Sequence, residues 1–340
     1  MNVLLDIRNC RSGGGLAIAT NFLKYLNYAD LTNISVSVYS HKEFNYNVID
    51  TVQVEILIRR RRLIEFLPKK FDKVFVLFGP TLFLTTKPVI QGYANGWCYM
   101  NSDLAMKQLS FLERIKVKLR CALSMFILSY WTDEIIMESD YAKNNLEKRL
   151  FVGNKAIRII PNEVSLPEPL SYVSKKNSVN IGFLSSYYRH KNFQYLAEIF
   201  SFLPSNFHLH VSLSDDMFDR YFTERDRITN HGYVRDIASF YSEIDIVLST
   251  SLLETVSASM VEAYYYEKPF FALDLDFNRF NAGEAAIYLP VHDARGAANI
   301  VVRDVSNQTL MANLKIKGKL RYNLTKSKTG RFNEYLSLMK

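Results

Sequence analysis

Residues 245–276 constrain the fold of this chain more than any other stretch. Two short apolar runs, Ile246–Leu248 and Phe270–Leu273, enclose a segment whose apolar residues recur at helical spacing. This order predicts two parallel strands joined by a helical crossover, the repeating unit of doubly wound α/β sheets. Ser257 or Ser259 would cap the helix, whose first N–H groups and dipole would then form an anion site.

Two glutamates lie close to that anion site. Glu254 precedes the predicted helix, and Glu262 lies about two turns further along the chain. Carboxylates accept hydrogen bonds from hydroxyl groups, so the pair would bracket the two sugars of a sugar nucleotide whose diphosphate lies at the helix start. The alternative is structural, because glutamates at a helix start and on a solvated helix face are common without a ligand.

Composition narrows the class of protein. A length of 340 residues suits two domains, and 48% hydrophobic with 22% charged residues is typical of globular proteins. No apolar stretch reaches the roughly 18 residues of a spanning helix, and the polar N-terminus predicts no export signal. The cysteines, without a CxxC pair, are predicted to be reduced core residues of a cytoplasmic protein: Cys10, Cys98 and Cys121.

A net charge of +8 favours anionic partners. Nucleic acid is not expected, because the chain contains no recognition motif for it. Two basic stretches, residues 59–70 and 111–120, alternate cations with large apolar side chains. Charge runs are usually solvated surface, but this mixture also predicts binding to an anionic membrane surface.

Each half of the chain opens with a strand, a loop and a helix. The first predicted strand, Asn2–Ile7, precedes a triple glycine that includes Gly14 and Gly15, which would let the backbone approach a ligand closely. A flexible turn explains those glycines equally well. In the second half, the strand Val179–Leu184 precedes Lys191, which can bind phosphate at the start of the next helix.

Two pairs of residues are candidate metal ligands. His208 and His210 share one face of a predicted strand but have no carboxylate or cysteine nearby in the sequence, so ordinary strand positions are favoured. Asp274 and Asp276 match a DxD pattern, yet they end the strand that follows the helix of the two glutamates. Metal chemistry is therefore not expected at either pair.

Together these motifs resemble retaining glycosyltransferases of family 4, which have the GT-B fold and include bacterial surface-polysaccharide enzymes. The resemblance rests on two glutamates separated by seven residues, Lys191 before a helix, a glycine turn at Gly232, and Ile160-Pro161-Asn162 before a Pro- and Ser-rich segment. It implies that Glu254 contacts the donor sugar, Glu262 the ribose and Lys191 the diphosphate. The residues expected to contact the donor are Gly14, Gly15, Arg189, Lys191, Gly232, Glu254, Ser257, Ala258 and Glu262.

The chain departs from the family pattern at four places. Glu163 replaces the usual glycine after Pro-Asn, and the usual third glutamate is absent. Phe183 follows Gly182 where many members carry an arginine, for which Arg189 is the expected substitute. The family's first-domain histidine is absent, and Asn95 is expected in its place, with Lys191 and Glu254, among the catalytic residues.

The predicted fold has two Rossmann-like domains with parallel sheets that face each other across a cleft. Residues 1–165 would form the acceptor-side domain, 166–178 the linker, 179–324 the nucleotide-sugar domain, and 325–340 a helix that returns to the first domain. Ligands of such sheets bind at the carboxyl ends of the strands.

The resemblance implies a retaining transfer from a nucleotide sugar to an oligosaccharide or lipid-linked glycan, in O-antigen, lipopolysaccharide, capsule or exopolysaccharide synthesis. The leaving diphosphate would take the acceptor proton, with no metal or other cofactor. The enzyme would work in the cytoplasm, peripherally on the inner face of the bacterial plasma membrane. The alternatives are a non-catalytic nucleotide-sugar or membrane-surface binding protein on the same scaffold, an inverting GT-B transferase, or an epimerase.

Overall fold

The computed structural model describes residues 1–11, 13–44, 54–60, 62, 64–153, 155–161, 166–171, 178–223, 225–324 and 330–340. Several positions of the sequence-based predictions lie outside the described residues: Arg61, Leu63, Asn162, Glu163, residues 172–177 of the linker and residues 325–329. The chain forms two compact units. The first comprises Met1–Met100, Leu112–Asn162 and Ser327–Lys340, and the second comprises Asn101–Phe111 and Glu163–Lys326.

Strands and helices alternate over most of residues 134–305. The strands are β1 (Asn2–Asp6), β2 (Ser35–Ser40), β3 (Glu55–Ile58), β4 (Ile64–Phe66), β5 (Lys73–Val76), β6 (Leu82–Leu84), β7 (Val89–Gly92), β8 (Glu134–Met137), β9 (Ala156–Ile159), β10 (Val179–Phe183), β11 (Phe207–Val211), β12 (Ile228–Asn230), β13 (Ile246–Ser249), β14 (Phe270–Leu273) and β15 (Ala286–Leu289). The helices are α1 (Gly13–Leu26), α2 (Asp103–Lys107), α3 (Phe111–Tyr130), α4 (Asp140–Glu147), α5 (Phe193–Ser201), α6 (Asp215–Tyr221), α7 (Ile237–Ser242), α8 (Ala258–Tyr265), α9 (Asp276–Ala282), α10 (Ala294–Val305), α11 (Gln308–Leu324) and α12 (Arg331–Met339).

The first unit is built on a parallel sheet in the order β3-β2-β1-β5-β7-β8-β9. The terminal helix α12 packs in this unit, where Phe332 and Tyr335 contact the ring of Phe22 with centroids 5.5 and 5.3 Å away. Lys73 Nζ also donates to the carbonyl of Leu338 (2.9 Å). The final residues therefore complete the core of the domain with which the chain begins.

A buried ionic network holds the carboxyl end of β1. Arg8 is fully buried and donates to Asp6 at the end of β1 and to Glu65 on β4, at 2.8 and 2.7 Å. Buried charges need partners because isolated ones would cost several kcal/mol in lost hydration. Glu65 is thus an internal residue within the basic stretch 59–70, whereas Phe66 beside it is 75% exposed.

The second unit is built on a parallel sheet in the order β12-β11-β10-β13-β14-β15. The predicted strand–helix–strand unit is present, with β13 and β14 paired in parallel and α8 between them in the chain. Every residue of β13 and β14 is buried, as expected for parallel strands covered on both faces. The predicted parallel α/β fold class is therefore confirmed.

Gly182 on β10 has a packing role in that sheet. A Cβ at this position would lie 2.9 Å from Ile244 Cδ1, closer than real Cβ contacts allow.

The cysteines are free thiols, with Cys10 and Cys98 buried and Cys121 half-buried. In the part of the chain that the structure describes, no helix is both long and apolar enough to cross a bilayer.

Candidate functional site

The sheet of the second unit reverses its strand order between β10 and β13. Strands β11 and β12 extend it on one side, and β14 and β15 extend it on the other. Ligands of doubly wound sheets bind outside the carboxyl ends of the strands at such a reversal. The loops after β10 and β13 meet there, because Leu252 N donates to the carbonyl of His190 (2.7 Å) and Thr250 Oγ1 donates to that of Lys191 (2.9 Å).

An ion pair between Lys191 and Glu254 joins the two loops. Lys191 Nζ contacts Glu254 Oε1, and the two side chains are 15% and 13% exposed. An ammonium carries three N–H donors, so one carboxylate oxygen leaves donors for the oxygens of a phosphate. The structure therefore brings together a cation and a carboxylate that lie far apart in the sequence, and these residue types suit phosphate and hydroxyl groups.

The start of α8 lies directly after Glu254 in the chain. Ser257 is the N-cap and accepts a hydrogen bond from Met260 N (3.4 Å), while Ala258 is the first helical residue and is exposed. Ser259, the other candidate cap, instead donates to the carbonyl of Leu184 after β10 (2.9 Å). The first N–H groups of a helix have no intrahelical acceptor, so this end of α8 favours an anion.

Glu262 is a buried carboxyl group on α8. It is 8% exposed, and its Oε2 accepts a hydrogen bond from the Tyr241 hydroxyl on α7 (2.9 Å). Burial raises the pKa of Glu262 from 4.5 to about 7, although the Tyr241 hydrogen bond and the charge of Lys191 oppose that rise. This carboxyl group can therefore change its protonation state near neutral pH when a ligand donates hydrogen bonds to it.

Two further residues belong to this environment and were not singled out by sequence reasoning. Tyr241 stacks on Tyr266, with ring centroids 4.7 Å apart, and so fixes the hydroxyl that contacts Glu262. His190 precedes Lys191, and burial lowers its pKa to about 4, so its imidazole is neutral at physiological pH. No sequence signal distinguishes Tyr241, an aromatic residue on a short helix whose hydroxyl contacts Glu262, from an aromatic residue that only packs in the core.

The remaining predicted site residues are Arg189, Gly232, Gly14, Gly15 and Asn95. Arg189 is exposed, and its Nη1 donates to the carbonyl of Gln108 (3.2 Å). Gly232 follows β12 with φ of +59°, a left-handed conformation that favours glycine. In the first unit, Gly14 and Gly15 lie in the first turn of α1 and Asn95 lines a cavity.

The second unit contains a group of possible metal ligands. Among the described residues, the one group of three is His210, His231 and Glu243, whose ligand atoms lie within 4.8 Å of one another. Glu243, which follows α7, was not predicted from the spacing of residues in the sequence. His210 Nδ1 and His231 Nε2 are 2.9 Å apart, so a hydrogen bond between the rings accounts for their proximity.

The DxD pair has a different environment. Both carboxylate oxygens of Asp274 accept hydrogen bonds from the guanidinium of Arg279, at 2.5 and 2.6 Å. A bidentate guanidinium contact of this kind occupies the oxygens that a cation would need. Asp276 begins α9 and is exposed.

Comparison with protein families identifies the second unit. Residues 178–307 match the family model described as Glycosyl transferases group 1. The chain carries a glycosyltransferase group 1 domain. The matched segment runs from β10 through α10 and contains Lys191, Glu254 and Glu262. No curated protein matches the chain by sequence.

Solved structures resemble the chain over its whole length. Sucrose-phosphate synthase from Thermosynechococcus elongatus is 13% identical, with a TM-score of 0.72 over 99% of this chain and 98% of that chain. WaaG, a glycosyltransferase involved in lipopolysaccharide biosynthesis, is 10% identical with a TM-score of 0.68 over 99% and 98%. Anabaena HepE in complex with UDP-glucose is 13% identical with a TM-score of 0.67 over 99% and 99%. The GT-B fold is confirmed for this chain.

Proposed function

We propose that this glycosyltransferase transfers a sugar, with retention of anomeric configuration, from a nucleotide sugar to a glycan acceptor. The observation that carries the proposal is the arrangement of Lys191, Glu254 and Glu262 around the start of α8, at the strand reversal of the second unit. Cationic and helix-dipole groups there suit a diphosphate, and the two carboxylates suit the hydroxyl groups on either side of it. The UDP-glucose complex of HepE supports the same class of donor.

The proposed mechanism needs no nucleophile from the protein. The bond between the anomeric carbon and the leaving phosphate oxygen breaks, and the acceptor hydroxyl bonds to that carbon on the same face. The acceptor proton passes to the leaving phosphate. Lys191 and the N-terminus of α8 stabilise the negative charge that develops on the diphosphate. Glu254 holds the donor sugar, Glu262 the ribose, and Asn95 takes the place of the histidine of the resembled family.

The reaction is proposed to need no divalent metal. Lys191 and the helix N-terminus already supply positive charge at the diphosphate position. Asp274, the first carboxylate of the DxD pair, is engaged by Arg279.

Isothermal titration calorimetry with nucleotide sugars and nucleoside diphosphates tests the donor site. Glu262→Ala should weaken binding of both, because hydrogen bonds to a charged group contribute about 1.5–3 kcal/mol. Glu254→Ala should spare the nucleoside diphosphate and remove the additional affinity or turnover of the sugar nucleotide. Glu198→Ala, an exposed glutamate of the same unit, is the matched control. Unchanged donor binding in both site variants would refute the assignment.

The anomeric configuration of the product distinguishes the possible reaction types. Nuclear magnetic resonance of the product should show the anomeric configuration of the donor. The opposite configuration would indicate an inverting transferase, and an altered donor sugar would indicate an epimerase. Donor binding without any turnover across a panel of glycan acceptors would favour the non-catalytic binding protein.

We further propose that the enzyme works on the inner face of the bacterial plasma membrane, on a lipid-linked acceptor for surface-polysaccharide synthesis. Large apolar side chains stand out among cations on the first unit. Phe66 is 75% exposed and follows Arg59 and Arg60 in the same basic stretch, and on α3 Leu112 and Leu119 are each 67% exposed. Each basic residue near an anionic leaflet contributes about 1 kcal/mol, so a few of them suffice for reversible attachment.

Co-sedimentation with vesicles tests the membrane proposal. Binding should require anionic lipid, weaken with salt, and fall in the double variant Arg59→Ser, Arg60→Ser. The double variant Lys148→Ser, Arg149→Ser removes two exposed cations elsewhere on the first unit and should sediment like wild type. Equal sedimentation with neutral vesicles, or none with acidic ones, would remove the membrane claim and leave the donor site intact.

A further inference from the structure

A cavity of about 900 Å³ lies within the first unit, and Asn95 is one of the residues that line it. It is lined by Asn9 and Arg11 from the loop after β1 and by Gly79 and Pro80 from the loop after β5. Strands β1 and β5 are neighbours at the point where the order of this sheet reverses. The cavity therefore occupies the position at which doubly wound sheets bind ligands.

Three arginines from separate segments line this cavity. Arg11 follows β1, Arg62 precedes β4, and Arg120 lies on α3. Arg8 and Arg158 in the same unit are paired with carboxylates, but among the described residues none of the three cavity arginines forms an ion pair. Guanidinium groups bind phosphate oxygens in pairs of parallel hydrogen bonds. A cluster of three without carboxylate partners therefore favours a ligand with more than one negative charge.

Helix α3 adds an apolar wall beside these cations. Leu119, Leu123 and Ile127 line the cavity at intervals of four residues, which places them along one ridge of the helix. Their exposed fractions fall from 67% to 39% and 2% along that ridge. An apolar track thus runs from the surface into the cavity, next to Arg120. Phosphate-binding groups alone would not require such a track.

We propose that this cavity binds a phosphorylated amphiphile, in which a phosphate or diphosphate group is bonded to an apolar chain. The three arginines would hold the anionic group, and the ridge of α3 would receive the part of the chain nearest to it. This ligand would be the anchoring part of the glycan acceptor, a step that rests on the proposed glycosyltransferase function. A soluble sugar phosphate would use the arginines but leave Leu119 and Leu123 without a partner.

Binding of farnesyl diphosphate and inorganic pyrophosphate to the full chain, measured by calorimetry below the micelle concentration, tests the proposal. Farnesyl diphosphate should bind at least about tenfold more tightly than pyrophosphate, because its chain buries apolar surface. Arg120→Ser and Arg11→Ser should each weaken both ligands by about tenfold or more. Leu123→Asn should remove the advantage of farnesyl diphosphate and leave pyrophosphate binding unchanged.

Two controls distinguish the cavity from other sites. Lys116→Ser removes an exposed cation of the same helix that does not line the cavity, and it should bind both ligands like wild type. Lys191→Ala removes the cation assigned to the donor diphosphate and should leave farnesyl diphosphate binding intact. Loss of binding in Lys191→Ala, or equal affinities for the two ligands, would overturn the proposal.

The donor site is measured separately in the same proteins. Arg120→Ser should bind nucleotide sugar like wild type. Absence of nucleotide-sugar binding in the wild type would count against the proposed function and would leave the farnesyl diphosphate result to decide the cavity. Normal nucleotide-sugar binding without any effect of Arg120→Ser or Arg11→Ser on farnesyl diphosphate would refute the cavity alone.

Discussion

The buried carboxyl group of Glu262 should make the protein less stable as the pH rises. Its pKa is 4.5 when it is unperturbed and about 7 in the folded protein, because burial disfavours the charged form. Between these values the folded state binds more protons than the unfolded state, so the free energy of unfolding falls with rising pH. The contribution is complete below about pH 4.5 and lost above about pH 7.

The size of the effect follows from the difference between the two pKa values. A change from 4.5 to about 7 corresponds to about 3 kcal/mol, an upper figure for one site. Glu262→Gln keeps the shape and an acceptor for the Tyr241 hydroxyl but cannot ionise. The variant should therefore match wild type near pH 4.5 and exceed its stability by up to about 3 kcal/mol near pH 8.

Urea unfolding of both proteins at the two pH values measures this difference. Glu198→Gln is the control and should stay within about 0.5 kcal/mol of wild type, because Glu198 is exposed. A Glu262→Gln variant that is less stable than wild type near pH 8, or a difference independent of pH, would refute the reasoning.

The same carboxyl group should couple nucleotide binding to proton release. Ribose hydroxyl groups donate hydrogen bonds more strongly to a carboxylate than to a neutral carboxyl group, so binding should lower the pKa of Glu262. Near pH 7 the calorimetric enthalpy of binding should then depend on the ionisation enthalpy of the buffer. This dependence should vanish in Glu262→Gln, and its persistence there would assign the proton to another group.

Three other perturbations have defined outcomes. EDTA should leave donor consumption unchanged, whereas a loss restored by manganese would assign a metal role to Asp274 and Asp276. Gly182→Ala should destabilise the protein by about 1–3 kcal/mol, because the new Cβ would lie 2.9 Å from Ile244 Cδ1. Ile244→Ala should offset part of that loss in a double-variant unfolding cycle, and strict additivity would contradict the steric account. Arg8→Ala should cost about 3–5 kcal/mol in urea unfolding, since it leaves two buried carboxylates unpaired, and a loss below about 1 kcal/mol would contradict that role.

Much of the second unit was predictable because its signals are local. Apolar runs of strand length around a helical period specify β13, α8 and β14, and they narrow the cap to Ser257 or Ser259. Glu254 and Lys191 could be proposed as site residues because each stands at the junction of a strand and a helix. In a parallel sheet all such junctions after strands lie at one edge.

Contacts between distant segments could not be predicted in this way. The hydroxyl of Tyr241 meets Glu262 only because α7 packs beside α8, and the resulting burial sets the pKa of that carboxyl group. Glu65 lies in a basic stretch of the sequence, but it is buried because it forms an ion pair with the buried Arg8.

The cavity in the first unit also combines features that the sequence predicts with contacts that it does not. Sequence patterning showed that residues 111–120 mix cations with apolar side chains, but it gave no reason to associate Arg120 with Arg11 and Arg62. Their proximity depends on the order of β1 and β5 in the sheet. Local periodicity reports which face of each element is apolar, whereas the order of strands decides which loops share a pocket.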